Sequence, residues 1–155
     1  SGASTIDSII ALSCIREQAM RPSAPPCYCC FIDFSAAFDR VNRDKLWTKL
    51  TNWGISPTLL RAIISLYSNT WIRVKTGPTS VTERIGTSRG LKQGCVLAPL
   101  FNLYTADLPI ALRDHALVPP KIGIAPIQIL QYADDTVILD RTKVGLQRAL
   151  TALGS

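Results

Sequence analysis

Apolar and polar positions along this 155-residue chain change period several times, and each change marks an element. Residues 5–19 repeat at helical spacing and predict a helix with Ile6, Ile9, Ile10, Ser13 and Cys14 on one face. Arg21-Pro22-Ser23-Ala24-Pro25-Pro26 cannot continue that helix and reads as a linker. Cys29-Cys30-Phe31-Ile32-Asp33-Phe34 is a short apolar run, read as a buried strand with an acid at its carboxyl end. Asn42 begins a helix that Gly54 closes, and Ser56-Pro57 opens another with a cap and a first-turn proline. Residues 71–75 and 81–86 predict a hairpin around Gly77-Pro78. A helix then runs to about Leu112, followed by a loop through Pro119, Pro120 and Pro126. Residues 129–139 alternate on both sides of Tyr132-Ala133-Asp134-Asp135 and predict a second hairpin, and a last helix starts at Thr142. The pattern indicates an α+β fold: a small antiparallel sheet with helices packed on one face.

The second hairpin breaks a local rule. Its tip contains no glycine, although tight turns need positive φ and Ala is poorly suited to it. Such an inconsistency is expected where function overrides local preference. An Asp-Asp pair is ordinarily just a solvated turn. Asp33 adds a third carboxylate, and an acid left unpaired in an apolar strand is costly. Three carboxylates brought together repel unless a cation lies among them. Hard divalent ions take such oxygen ligands, and paired ions can clamp a phosphoryl transfer.

A third block, Ser88-Arg89-Gly90-Leu91-Lys92-Gln93-Gly94-Cys95-Val96-Leu97-Ala98-Pro99, holds two glycines around Lys-Gln ahead of a helical pattern. Glycines admit close approach of backbone to ligand, a helix start offers N–H groups to anions, and Gln93 can pair with a sugar or base edge. Taken alone, the block equally suits an ordinary loop.

The three blocks resemble motifs A, B and C of reverse transcriptases, in the family's order. Motif A is Phe31-Ile32-Asp33-Phe34-Ser35-Ala36-Ala37-Phe38-Asp39-Arg40-Val41, motif B is 90–99, and motif C is Tyr132-Ala133-Asp134-Asp135. Their form is most similar to the non-LTR (LINE-type) retrotransposon group, as is Ser4-Thr5-x-Asp7 before the first helix. A viral RNA polymerase is disfavoured, since that class usually carries Gly before Asp-Asp and no aromatic at the Phe38 position. The resemblance implies an RNA-directed DNA polymerase that adds dNTPs to a primer 3′ end by two-metal nucleotidyl transfer. The alternatives are a decayed, non-catalytic nucleic-acid-binding remnant and an intron-encoded or retron-type reverse transcriptase.

The resemblance further implies a right-hand polymerase palm. Residues 1–26 are the helix and linker before motif A, 27–140 the palm, and 141–155 the start of the following helix. Most of the fingers and thumb are absent, and the isolated fragment is expected to be inactive. Asp33, Asp134 and Asp135 are then the catalytic carboxylates and, with the Phe34 carbonyl, ligands of two Mg²⁺ ions, with Mn²⁺ as a substitute. Phe38 is the gate against a 2′-hydroxyl, although it also suits a core aromatic. Gln93 and Gly94 bind the nucleotide, and Tyr132 and Ala133 lie near the primer end. Asp39 is read as structural, able to cap the helix through Lys45-Leu46-Trp47. The implied partners are RNA template, DNA primer and dNTPs, without a membrane or an inferable protein partner. The implied location is intracellular, in nucleus and cytoplasm. In motif B, Ala98-Pro99-Leu100-Phe101-Asn102 is one residue shorter than the Pro-x-Leu-Phe form, which would rotate the next helix by about 100°.

Composition agrees. A chain of this size fits one domain, and 47% hydrophobic residues suffice for a core. A net charge of +6 suits a polyanion, with basic residues scattered at Arg61, Arg73, Lys75, Arg84, Arg89 and Lys92. Cys27, Cys29 and Cys30 lack paired zinc spacing, so all five cysteines are expected as free buried thiols in a reducing compartment.

Overall fold

The computed structural model describes residues 5–113, 115 and 117–154; Ser4 of the segment before motif A lies outside them. The elements in chain order are α1 (Thr5–Ala19), β1 (Tyr28–Ile32), α2 (Arg43–Asn52), α3 (Pro57–Ser68), β2 (Trp71–Ile72) and β3 (Ile85–Gly86). They continue with α4 (Pro99–Thr105), α5 (Leu108–Ala111), β4 (Lys121–Ile122), β5 (Ala125–Pro126), β6 (Ile129–Tyr132), β7 (Asp135–Asp140) and α6 (Lys143–Gly154). The mixture of helices with small antiparallel sheets is α+β. The chain forms two compact units, residues 1–35 with 105–155, and residues 36–104.

In the first unit β7 lies between β1 and β6 in an antiparallel sheet. The register pairs Ile32 with Thr136, Cys30 with Ile138, and Ile129 with Ile138, so these side chains share a face. Ile32, Ile129 and Ile138 pack there against Leu112 beside α5 and against Leu146, Ala149, Leu150 and Leu153 of α6. Ile138, Leu112 and Ala149 are fully buried, and truncating Ile138 to Ala should cost about 2–5 kcal/mol. β1 corrects the expectation of a buried strand. Its exposure alternates, and Phe31 on the other face is 70% exposed. That second face carries Phe31, Val137, Leu130 and Tyr132, and α1 lines a cavity with it, so helices lie along both faces rather than one.

α1 has the expected bounds but a different inward stripe. Ile15 is the buried residue, Ser8, Ala11 and Leu12 are half-buried, and Ile6, Ile9 and Ile10 are exposed. Positions 8, 11, 12 and 15 are a helical face too, and the more hydrophobic stripe lost to it. The proline-rich loop holds a short hairpin, β4–β5, whose Gly123 takes φ 60° at the first turn position.

The second unit has its own core: Val41, Leu46, Leu50, Tyr67, Leu91, Leu100 and Phe101. Asn42 caps α2 by accepting from the Lys45 N–H at 3.0 Å, so the cap is Asn42 and not Asp39. Ser56 caps α3 as expected, accepting from the Leu59 N–H at 3.3 Å. The hairpin expected over 71–86 is reduced to β2–β3 plus an isolated bridge between Lys75 and Val81. The helix after motif B begins only at Pro99 and breaks before α5, so Gln93 and Gly94 lie in turns ahead of it. Despite the shortened segment, α4 buries both Leu100 and Phe101.

Candidate functional site

Two strand ends build the carboxylate site. β1 ends at Ile32, whose partner is Thr136, so the next positions outward are Asp33 and Asp135. Period-two alternation puts both on the face of Phe31 and Val137. Asp33, Asp135 and Tyr132 line one cavity of about 420 Å³, together with Thr5, Ile9 and Leu12 of α1. Both acids are exposed, whereas Asp134, half-buried, sits in the turn.

That turn carries backbone strain. Ala133 adopts φ 52°, the left-handed region in which a side chain costs about 1–2 kcal/mol. Tyr132 pairs with Asp135 across it, so the hairpin closes with only Ala133 and Asp134 between. The glycine-free sequence was the clue, and the strain lies beside the acids. Behind the tip, Thr136 Oγ1 and Gln131 Nε2 are buried at facing positions without a hydrogen-bond partner among the described residues.

Among the described residues no three His, Cys, Asp or Glu side chains are close enough to hold a metal. The site therefore brings Asp33 and Asp135 into one cavity, with Asp134 beside Asp135 in the turn, without a closed ligand cage. The donor set nevertheless fits a hard cation. It offers carboxylate oxygens only, and Mg²⁺ binds by one or two carboxylates with water and substrate phosphates completing its shell. Phe34 follows β1 directly and is half-buried.

The remaining candidates lie in the second unit. Phe38 is half-buried and stacks on Phe101 with ring centroids 4.6 Å apart, so it is part of the core edge. Gln93 is exposed and lines a cavity of about 620 Å³ with Asp39, Arg43, Gly90, Leu91 and Lys92. Gly94 takes φ 72° with open space around it.

The motif A turn and the motif B loop are tied together within this unit. Gly90 N–H donates to the Val41 carbonyl at 2.9 Å, and Leu91 N–H to the Phe38 carbonyl at 2.8 Å. Gly90 has φ 87°, and a Cβ there would lie 2.8 Å from the Asp39 carbonyl oxygen. Arg43, which the sequence reading passed over, fixes the same junction. Its Nε donates to the Gly90 carbonyl at 2.8 Å, and Nη1 donates to the Thr87 carbonyl at 2.9 Å and the Thr70 hydroxyl at 2.8 Å. Its guanidinium lies 4.9 Å from the Tyr67 ring centroid, and burial lowers its pKa from the ordinary value. The available signal was a cation at the first position of a helix, where the dipole disfavours it.

Asp140 was missed as well. Fully buried, it accepts from Val118 N–H at 2.7 Å, and from Thr142 N–H at 2.6 Å and the Thr142 hydroxyl at 2.8 Å. Gly145 leaves room for it, since a Cβ there would strike the Asp140 carboxylate. A glycine in the first turn of a helix was the visible trace. All five cysteines are free thiols, but none is buried as expected: Cys29 is exposed and the others are half-buried.

The family model for reverse transcriptase (RNA-dependent DNA polymerase) matches residues 1–155. This chain belongs to the reverse transcriptase family. Similar curated proteins place this reverse transcriptase domain with those of non-LTR retrotransposons. One is the Retrovirus-related Pol polyprotein from type-1 retrotransposable element R2 of Popillia japonica, 30% identical over 80% of this chain and 18% of that protein. Another is the probable RNA-directed DNA polymerase from transposon BS of Drosophila melanogaster, 30% identical over 99% of this chain and 17% of that protein. A third is the RNA-directed DNA polymerase from mobile element jockey of Drosophila funebris, 33% identical over 73% and 12%. The reverse transcriptase chain thus spans less than a fifth of these relatives. Among its described residues no helix is long and apolar enough to cross a membrane.

Proposed function

We propose that this chain is the palm region of an RNA-directed DNA polymerase of a non-LTR retrotransposon, acting on RNA template, DNA primer and dNTPs. The observation that carries the reading is the shared cavity of Asp33 and Asp135 at the mouth of a strained Tyr132-Ala133-Asp134-Asp135 turn. Asp33, Asp134 and Asp135, with the Phe34 carbonyl, are the groups that would hold two Mg²⁺ ions. Metal bound there supplies Lewis-acid stabilisation of charge on the phosphoryl oxygens.

The chain's own residues supply position. β1 and β7 are hydrogen-bonded neighbours, so the spacing of Asp33 and Asp135 is set by a sheet rather than by loops. Tyr132, 45% exposed on the same face, offers a ring to the primer end, and Ala133 holds the turn that presents Asp134. In the second unit, Phe38 is assigned to reject a 2′-hydroxyl, and Gln93 and Gly94 to contact the incoming nucleotide. The Leu91–Phe38 hydrogen bond couples the backbone of the gate to that of the nucleotide loop.

The test is primer extension by the full-length protein that carries this domain, on an RNA template with Mg²⁺. Asp134→Asn should abolish extension and leave folding intact. Extension that survives Asp33→Asn and Asp134→Asn would refute the proposal.

A further inference from the structure

We infer that the β2–β3 hairpin is a docking surface for single-stranded nucleic acid, built on Trp71, Arg73 and Arg84. The Arg84 guanidinium lies 4.4 Å from the Trp71 ring centroid and that of Arg73 lies 5.6 Å from it. Trp71 is 47% exposed, and both arginines are exposed. The register explains how they meet. Trp71 pairs with Gly86 and Ile72 with Ile85, so Arg73 and Arg84 are the next facing positions, on the same face as Trp71. Like charges at facing positions of a strand pair destabilise it unless an anion is shared between them. Between Trp71 and Lys92 the chain carries five basic residues and one acid, Glu83.

The ligand class follows from the chemistry. Bases stack on aromatic rings and on guanidinium planes, while the arginines meet phosphates. A protein partner would want the opposite face, where Ile72 and Ile85 are exposed, while the paired arginine charges on the Trp71 face favour a polyanion. A recess of about 660 Å³ adjoins the platform, lined by Trp71, Arg84, Gly86, Asn69 and Ser88, with Asp44 also on its wall. Gly86, facing Trp71, keeps it open, since nothing lies within 4 Å of a Cβ built there. A duplex keeps its bases stacked away from such a platform, so the occupant is single-stranded.

The inference rests on the polymerase reading for its ligand class and adds a surface outside the carboxylate site, whose test needs neither metal nor nucleotide. Equilibrium binding of fluorescein-labelled oligoadenylate RNA to the full chain, read by anisotropy over a range of salt, separates the two. Trp71→Ala should weaken binding roughly 5-fold or more, with Trp71→Phe retaining most of it. Arg73→Gln with Arg84→Gln should reduce the salt slope by about 1.4. Gly86→Val should weaken binding without changing the slope. Circular dichroism should show each variant folded, because these side chains are at the surface. Unchanged affinity in Trp71→Ala, or duplex RNA bound as tightly as single strand, would overturn the inference. So would self-association through this hairpin, seen by sedimentation and removed by Ile72→Ser, with no effect of Trp71→Ala on RNA binding.

Discussion

Arg43 Nε donates to the Gly90 carbonyl at 2.8 Å, a bond that joins the first helix after motif A to the first glycine of motif B. The same guanidinium donates to the Tyr67 carbonyl at 3.2 Å, so its removal takes a donor from two buried acceptors. Arg43→Met should destabilise the chain by roughly 3 kcal/mol, since each orphaned group costs about 1–3 kcal/mol. Arg43→Lys keeps the charge but not the fork and should recover less than half of the loss. Urea unfolding measures both; a lysine variant as stable as the parent would show that charge alone matters.

Gly90 gives a second test at the same junction. Gly90→Ala must place a Cβ about where the Asp39 carbonyl stands, at positive φ. Gly94→Ala meets the conformational penalty but open space. The first should therefore cost clearly more stability than the second, which is expected to lose about 1 kcal/mol. Equal losses in thermal melts would show that the motif B loop yields freely.

Asp140→Asn replaces a carboxylate oxygen by an amide donor facing N–H groups. The loss should be about 2–4 kcal/mol, because hydrogen bonds to a charged acceptor are worth about 1.5–3 kcal/mol each. Gly145→Ala should be comparably severe, its methyl striking the same carboxylate. If the two single losses simply add in the double variant, the residues act independently and the clamp is refuted.

Sequence patterning made the helices, the motif C hairpin and the position of Asp33 readable, because each depends on nearest-neighbour chemistry: Ser56 before Pro57, Asn42 before Arg43, alternation through 129–139. The inward side of α1 was not readable. Two apolar stripes compete there, and only packing in the folded unit chooses Ile15 over Ile6 and Ile10. Arg43 and Asp140 escaped for a related reason. Arg43 reaches Gly90, 47 positions away, and Asp140 joins its local Thr142 contacts to Val118, 22 positions away; the distant partners are announced only by a misplaced cation and a misplaced glycine.

Cys27 yields an expectation in pH. Burial first, then the neighbouring Cys29 thiol, push the Cys27 thiol up to about 11 from its ordinary 9.0. The folded state then holds a proton that the unfolded state releases earlier. This contribution to stability is intact below pH 9 and is lost as pH rises toward 11. Cys27→Ser should flatten that alkaline decline. Alkylation mapped by mass spectrometry at pH 8 should reach exposed Cys29 well before Cys27; the reverse order would contradict the assigned shift.

Phe38 carries two duties to be separated. Phe38→Ala removes its stacking on Phe101 and should cost about 3–5 kcal/mol, while raising ribonucleotide use in the full-length enzyme. Phe38→Leu keeps most of the packing. If the folded leucine variant discriminates sugars as the parent does, Phe38 is a core residue only.

The central claim is that the end of β1 and the β6–β7 turn form one divalent-metal site. It is tested most directly by titrating the chain with Mn²⁺ and following backbone amide resonances. Broadening should appear first and together at Asp33, Phe34, Asp134 and Asp135, and Asp33→Asn should weaken it at Asp134 and Asp135 as well. Broadening confined to one of the two segments, or unaltered at the turn when Asp33 is neutralised, would contradict a shared site.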